Sequence, residues 1–133
     1  MQNEGERVES VTTLSQKENV RLDSERLDQL YVQLGEQTAE DVMCRSMEEL
    51  AVRLSYTERL YRRADMEKLR KSLKSIVRIS EQIGTPMLAQ VAKDVIRCVD
   101  QGDATAVAAT LARLLRIGEG SLIAFWQIKD ISS

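Results

Sequence analysis

Apolar side chains recur at intervals of three and four residues along most of this chain, and this spacing limits the fold more than any other feature. The clearest run has intervals of 4, 3, 4, 3 and 4 residues and comprises Met43, Met47, Leu50, Leu54, Thr57 and Tyr61. These intervals place the side chains on one face of an α-helix, as in the seam between packed helices. No segment alternates convincingly between apolar and polar residues, as a half-buried strand does. The sequence therefore predicts an all-α fold.

Residues typical of helix ends predict a short first helix and a long second one. The first helix covers about residues 24–35 and ends at Gly35, because glycine is the usual residue just after a helix. Thr38 followed by Asp41 resembles a capping box, which predicts that the long helix begins there. A turn ends the long helix, and Asp65 is a suitable N-cap for the helix that follows.

Three further helices are predicted after that turn. The third covers about residues 66–83 and the fourth about 86–101, with Thr85 as its N-cap and proline at its first position. Asp103 is a suitable N-cap for the fifth helix. Gly118 lies on the predicted apolar face of the fifth helix, where the lack of a side chain allows another backbone to approach closely. The alternative is that Gly118-Glu119-Gly120 kinks the fifth helix or divides it into two.

The connections between the last four predicted helices are only a few residues long, so neighbouring helices are expected to run antiparallel. The expected architecture is an up-down antiparallel four-helix bundle preceded by a short N-terminal helix. Residues 1–21 are polar with weak periodicity and are expected to form a flexible arm. Residues 22–130 are expected to form the single bundle domain.

The 133 residues include no histidine, which excludes several kinds of chemistry. Ser-His and Cys-His nucleophile pairs, histidine metal ligands and phosphohistidine all require that side chain. The two cysteines, Cys44 and Cys98, cannot complete a four-ligand zinc site and are expected to be reduced and buried. Neighbouring carboxylates such as Glu48 and Glu49 are typical of a solvated helix surface. We therefore expect no metal, no cofactor and no enzymatic activity.

The sequence also argues against two classes of partner. No apolar stretch is long enough to span a membrane, and residues 1–20 lack the apolar segment of a signal peptide. A cytoplasmic location without membrane association is therefore expected. The formal net charge is −2 and no aromatic residues are interleaved with the basic ones, so nucleic acid is not an expected partner.

Basic side chains are concentrated between residues 58 and 78, where eight basic and three acidic residues give a net charge of +5. The basic residues are Arg59, Arg62, Arg63, Lys68, Arg70, Lys71, Lys74 and Arg78. Such a segment is either a solvated helix face or a docking surface for an acidic partner.

Several short motifs follow one another in a characteristic order over residues 22–128. They are Leu22-Asp23-Ser24-Glu25-Arg26-Leu27, Leu34-Gly35, Asp65-Met66-Glu67-Lys68-Leu69, Ile83-Gly84-Thr85-Pro86-Met87-Leu88 and Ile96-Arg97-Cys98-Val99-Asp100-Gln101-Gly102-Asp103. This order resembles the histidine phosphotransfer (HPt) domain of two-component phosphorelays, in which one helix carries the phosphoacceptor in a His-x-Leu-Lys-Gly pattern. The resemblance implies an HPt-like bundle and a role in bacterial signalling.

The resemblance places Lys74 at the phosphoacceptor position. Lys74 lies ten residues before Gly84 and five after Leu69, which are the family's spacings, and Ile76 matches the family's core leucine. A second alignment places Lys71 there instead but breaks both spacings. A solvent-facing lysine is protonated near neutral pH and has no free lone pair, so we expect no phosphotransfer.

Two neighbouring positions also depart from the family pattern. The family's lysine three residues after the acceptor is Val77 here, and its glycine four residues after is Arg78. The predicted docking face around Lys74 comprises Arg70, Lys71, Ser75 and Arg78.

The resemblance implies a non-catalytic signalling module that binds response-regulator receiver domains, or a histidine kinase, without accepting a phosphoryl group. The alternative is a structural helical bundle that binds a non-receiver protein or forms a homo-oligomer. That alternative predicts a contiguous exposed apolar patch. Its candidate members are Met43, Met47, Tyr61 and Trp126.

Overall fold

The computed structural model describes the backbone of residues 24–132 and the side chains of residues 25–130. The described backbone forms five α-helices: α1 (Ser24–Leu34), α2 (Glu36–Arg62), α3 (Met66–Ile83), α4 (Pro86–Gln101) and α5 (Ala104–Ser132). It contains no strand, so the predicted all-α fold is confirmed for this part of the chain. The expected arm over residues 1–21 lies outside the described residues.

Two aspartate caps fix the beginnings of α3 and α5. The carboxylate of Asp65 accepts a hydrogen bond from the backbone N–H of Lys68 at 3.1 Å. The carboxylate of Asp103 accepts one from the N–H of Ala106 at 3.0 Å. Both bonds satisfy N–H groups that have no partner within the helix, so both predicted caps are confirmed. The predicted bounds of α3 and α4 are also correct.

The predicted capping box at the start of α2 is wrong. The helix begins at Glu36, two residues before Thr38, and Gly35 alone joins it to α1. Gly35 has φ 82° and provides no side-chain cap. Glycine accepts this positive φ without steric cost, so one residue is enough to join the two helices.

Thr85 occupies the N-cap position of α4 and Pro86 the first helical position, as predicted. The Thr85 side chain makes no capping bond to α4. Its hydroxyl instead donates to the backbone carbonyl of Ser80 at 3.0 Å. This bond satisfies a carbonyl at the end of α3, so the hydroxyl serves the preceding helix rather than the following one.

The predicted division of the fifth helix does not occur, because α5 is continuous from Ala104 to Ser132. Gly118 is buried against α2. A Cβ atom built on Gly118 would lie 2.5 Å from Cδ1 of Leu54. The glycine therefore allows a close approach between α5 and a side chain of α2 without interrupting the helix.

The core contains the apolar faces of all five helices. The predicted run on α2 is buried except for Tyr61, which is half-buried. A polar contact lies inside this core: the hydroxyls of Thr57 and Ser72 are 2.7 Å apart. The Thr57 hydroxyl donates its single proton to the carbonyl of Arg53 at 2.6 Å, so Ser72 donates to Thr57.

The helices pack in a closed order. Helix α2 packs against α3, α3 against α4, α4 against α5, and α5 against α2, while α1 packs against α2 and α3. Within residues 24–132, no helix combines the length and apolar character needed to cross a bilayer. The arrangement is bundle-like, and α3 has α2 on one side and α4 on the other.

Candidate functional site

The outer face of α3 carries the predicted docking residues because the inner face is fully used by the core. Leu69, Leu73 and Ile76 are all completely buried. Side chains about one turn apart share a face of a helix. Lys71, Lys74 and Arg78 therefore project together on the opposite side, and all three are exposed. We call these three residues the cationic ridge.

None of the three ridge side chains has an ion-pair partner among the described residues. Lys74 lies in the middle of α3. Glu67 and Glu81 lie on the same face, one near each end of the helix. The ridge is therefore a cationic surface of limited length with acidic residues at both ends.

Arg70, which the sequence placed on the docking face, is already occupied. Its guanidinium makes two hydrogen bonds to the carboxylate of Asp100 on α4, Nε to Oδ1 at 2.7 Å and Nη2 to Oδ2 at 3.0 Å. The side chains are 39% and 47% exposed, so this is a surface ion pair with two-point geometry. It fixes Arg70 against α4 and separates it from the cationic ridge.

The ion pair also affects the titration of Asp100. The hydrogen bonds from Arg70 lower the pKa of Asp100, against a smaller opposing effect of desolvation. The positive charges of Arg70 and Lys74 lower that pKa further. Lys74 therefore lies within electrostatic range of the Asp100 carboxylate, although the two form no ion pair.

Ser75 and Val77 contribute little reactive surface beside Lys74. The Ser75 hydroxyl donates to the backbone carbonyl of Lys71 at 3.4 Å, within its own helix, and the residue is half-buried. Val77 is half-buried and packs against the core. The described charged groups on this part of the surface are therefore the three ridge cations and the Arg70–Asp100 pair.

The neighbouring part of α4 carries basic groups that are already paired. Lys93 forms an ion pair with Glu81 of α3 at 3.2 Å. Arg97 pairs with Asp94 within α4 at 2.9 Å. These contacts leave the cationic ridge as the group of basic side chains on this face without acidic partners.

No local sequence pattern identifies Asp100 as part of this site. Asp100 lies in a motif near the end of α4, and 30 residues separate it from Arg70. Helical spacing identifies residues that share one helix face, but it does not identify the side chain that a residue meets on another helix.

The cysteine and carboxylate side chains of the described residues form no cluster with metal-ligand spacing. No group of three or more of these described side chains could hold a metal ion. Cys98 is buried as predicted, Cys44 is half-buried, and both are free thiols. Glu48 and Glu49 are exposed. The chemistry available on the cationic ridge is hydrogen-bond donation and positive charge.

Comparisons with known proteins do not assign this site. No family model, curated protein or solved structure matches the chain. The HPt resemblance therefore depends on the order and spacing of the motifs, and the properties of the ridge depend on the geometry of α3 and α4.

The apolar patch expected under the structural alternative does not form from the predicted residues. Met43 is 4% exposed and Met47 is completely buried. Tyr61 and Trp126 are half-buried and pack against the core. A different apolar groove of about 160 Å³ lies between α1, α2 and α5, where Tyr31 and Ile128 are 42% and 55% exposed.

Proposed function

We propose that this chain is a non-catalytic HPt-like module that binds receiver domains through the cationic ridge and does not accept a phosphoryl group. The observation that carries the proposal is the exposure of Lys74 in the middle of α3 with two further cations beside it. A phosphorylatable receiver pocket is acidic, so a surface of opposite charge favours its docking. A cytoplasmic location belongs to the same proposal.

The proposal includes an up-down four-helix bundle formed by α2 to α5, with α1 packed on it. Two cross-helix ion pairs support antiparallel α3 and α4: Arg70 with Asp100, and Glu81 with Lys93. The beginning of α3 thus meets the end of α4, and the end of α3 meets the middle of α4. The pair Glu40–Lys129, at 3.7 Å, relates α2 and α5 in the same way.

The side chains at the acceptor position explain why binding would occur without transfer. A lysine ammonium donates three hydrogen bonds and has no lone pair with which to attack phosphorus. Arg78, one turn later, adds a second cation where the family has glycine. These groups can neutralise and hydrogen-bond an anionic pocket but cannot replace imidazole as a nucleophile.

The test is a binding measurement with the full chain against a panel of purified receiver domains from the source organism. We expect at least one receiver to bind, and we expect Lys74→Glu to weaken that binding at least about tenfold, since one charge reversal in a docking surface costs about 1–3 kcal/mol. No binding by any receiver would contradict the proposal.

Arg116→Glu is the matched control for this experiment. It makes the same charge reversal at an exposed helical position. Arg116 lies on α5, which does not pack against α3. Equal weakening by Arg116→Glu and Lys74→Glu would show a general charge effect and would contradict docking through the cationic ridge.

The second candidate function is self-association through the groove between α1, α2 and α5. The supporting observation is the exposure of Tyr31 and Ile128 beside this apolar groove. Sedimentation velocity tests it directly. A dimer that Ile128→Lys dissociates would favour this candidate, and a monomer at all concentrations would contradict it.

A further inference from the structure

We propose that the cationic ridge recognises the phosphorylated state of its receiver and binds it in preference to the unphosphorylated state. This inference rests on the proposed function and specifies which form of the partner the site selects. The structural basis is the combination of three unpaired cations with a fourth, Arg70, that Asp100 holds away from them.

The first step is the donor capacity of the ridge. Lys71, Lys74 and Arg78 are exposed and have no ion-pair partner among the described residues. Their ammonium and guanidinium groups are donors only. A partner that brings more acceptor oxygens and more negative charge therefore gains more contacts here than a partner with a bare carboxylate.

The second step is the change that phosphorylation makes to an acidic pocket. A phosphoryl group has a charge of about −1.5 to −2 at neutral pH and three strong acceptor oxygens. An aspartate carboxylate has one negative charge and two oxygens. The two receiver states thus differ in negative charge and in the number of acceptor oxygens, and exposed lysine and arginine side chains bind more strongly to the state with more of both.

The third step is the role of Asp100, which limits the strength of the ridge. Its carboxylate is close enough to Lys74 for the lysine's charge to lower its pKa. It also uses both oxygens on Arg70. Asp100 therefore supplies a negative charge beside the ridge and removes one cation from it, and both effects oppose the binding of an anion.

The experiment measures the affinity of the full chain for a receiver with Mg²⁺ alone and for the same receiver with Mg²⁺ and beryllofluoride. Beryllofluoride forms a stable mimic of the phosphorylated aspartate. We expect binding about ten times tighter in the beryllofluoride state, because about one additional charge meets the ridge at partly screened distances. Fluoride without beryllium is the control for a salt effect.

Asp100→Asn provides a variant in which binding is expected to improve. The substitution removes the negative charge and releases Arg70, so the beryllofluoride state should bind about three- to tenfold tighter than it does to the wild-type chain. Lys74→Glu should abolish the preference between states, while Arg116→Glu, on a helix that does not pack against α3, should preserve it. Far-UV circular dichroism verifies that each variant is folded.

The outcomes separate this inference from the proposed function. Tighter binding of the beryllofluoride state that Asp100→Asn strengthens further supports the inference. Equal affinity for both states, or weaker binding by Asp100→Asn, overturns the inference but leaves receiver binding intact. Absence of binding in either state overturns both.

Discussion

Replacement of Ser80 by alanine should make the protein more stable, although Ser80 lies in the core of α3. The residue is completely buried, and its hydroxyl has no hydrogen-bond partner. A buried polar group without a partner loses its hydration and gains nothing in return. Ser80→Ala removes that group and leaves only the small space of one oxygen atom.

The matched variant is Ser72→Ala on the same helix. Ser72 is 2% exposed, and its hydroxyl donates to the Thr57 hydroxyl at 2.7 Å. Both substitutions give the same gain in helix propensity, about 0.5 kcal/mol. The difference in stability between the two variants therefore reports whether each serine hydroxyl has a hydrogen-bond partner, and the helix preference of alanine cancels.

The expected magnitudes follow from these environments. The loss of an unsatisfied buried hydroxyl stabilises the fold by about 1–2 kcal/mol, whereas the loss of a satisfied hydrogen bond costs about 1 kcal/mol. With the propensity gain, Ser80→Ala should be about 1.5 kcal/mol more stable than wild type, and Ser72→Ala should be about 0.5 kcal/mol less stable. For a chain of this length, Ser80→Ala should raise Tm by about 6 °C.

Urea unfolding followed by far-UV circular dichroism measures both free energies of unfolding. The slope m should be equal in the two variants and the wild type, so that midpoints compare directly. If Ser80→Ala lost as much stability as Ser72→Ala, the Ser80 hydroxyl would have a partner in solution, and the reasoning would be refuted.

Three other substitutions test the packing, the surface ion pair and the acceptor position. Gly118→Ala places Cβ 2.5 Å from Cδ1 of Leu54. This overlap should outweigh the gain of about 1 kcal/mol in helix propensity, so thermal unfolding should show a net loss of stability of about 1 kcal/mol. A gain in stability would contradict the close approach. Arg70 lowers the pKa of Asp100 below 3.8 in the folded protein, so the Asp100 carboxylate binds a proton more readily in the unfolded chain. The ion pair therefore stabilises the fold above pH 3.8, and this stabilisation is lost as the pH falls through the folded pKa. In urea unfolding, the advantage of wild type over Asp100→Asn should thus be present at about pH 6 and should decrease as the pH falls below 3.8, and an advantage that does not change with pH would contradict the pairing. Lys74→His introduces an imidazole at position 74 but leaves its neighbours unchanged, so we expect no label from a phosphorylated receiver on a denaturing gel. Efficient labelling would show that the neighbouring side chains are not an obstacle.

Local sequence patterns predicted the helix ends correctly where a side chain bonds only to the helix that it begins. Asp65 and Asp103 each cap the helix that follows directly, so their effect depends on a few adjacent residues. The prediction failed at Thr38, and Thr85 occupies the predicted N-cap position without making a capping bond, because in both places the outcome depended on adjoining segments. Helix α2 begins directly after Gly35, two residues before Thr38, and the Thr85 hydroxyl donates to a carbonyl at the end of α3.

The candidate site was predictable only in part for a related reason. Helical spacing is sufficient to group Lys71, Lys74 and Arg78, and the structure places all three on one exposed face of α3. The same spacing also grouped Arg70 with them, but Arg70 is paired with Asp100 on another helix. Contacts between helices depend on their relative placement, which a single-helix pattern does not contain.

Receiver binding without phosphotransfer is tested most directly by incubating the full chain with a receiver that is radiolabelled on its phosphoryl group. The mixture is separated by size-exclusion chromatography, and the fractions are then run on a denaturing gel. We predict that the two proteins elute together and that all of the label stays on the receiver. Label on this chain would contradict the absence of transfer, and separate elution would contradict docking through the cationic ridge.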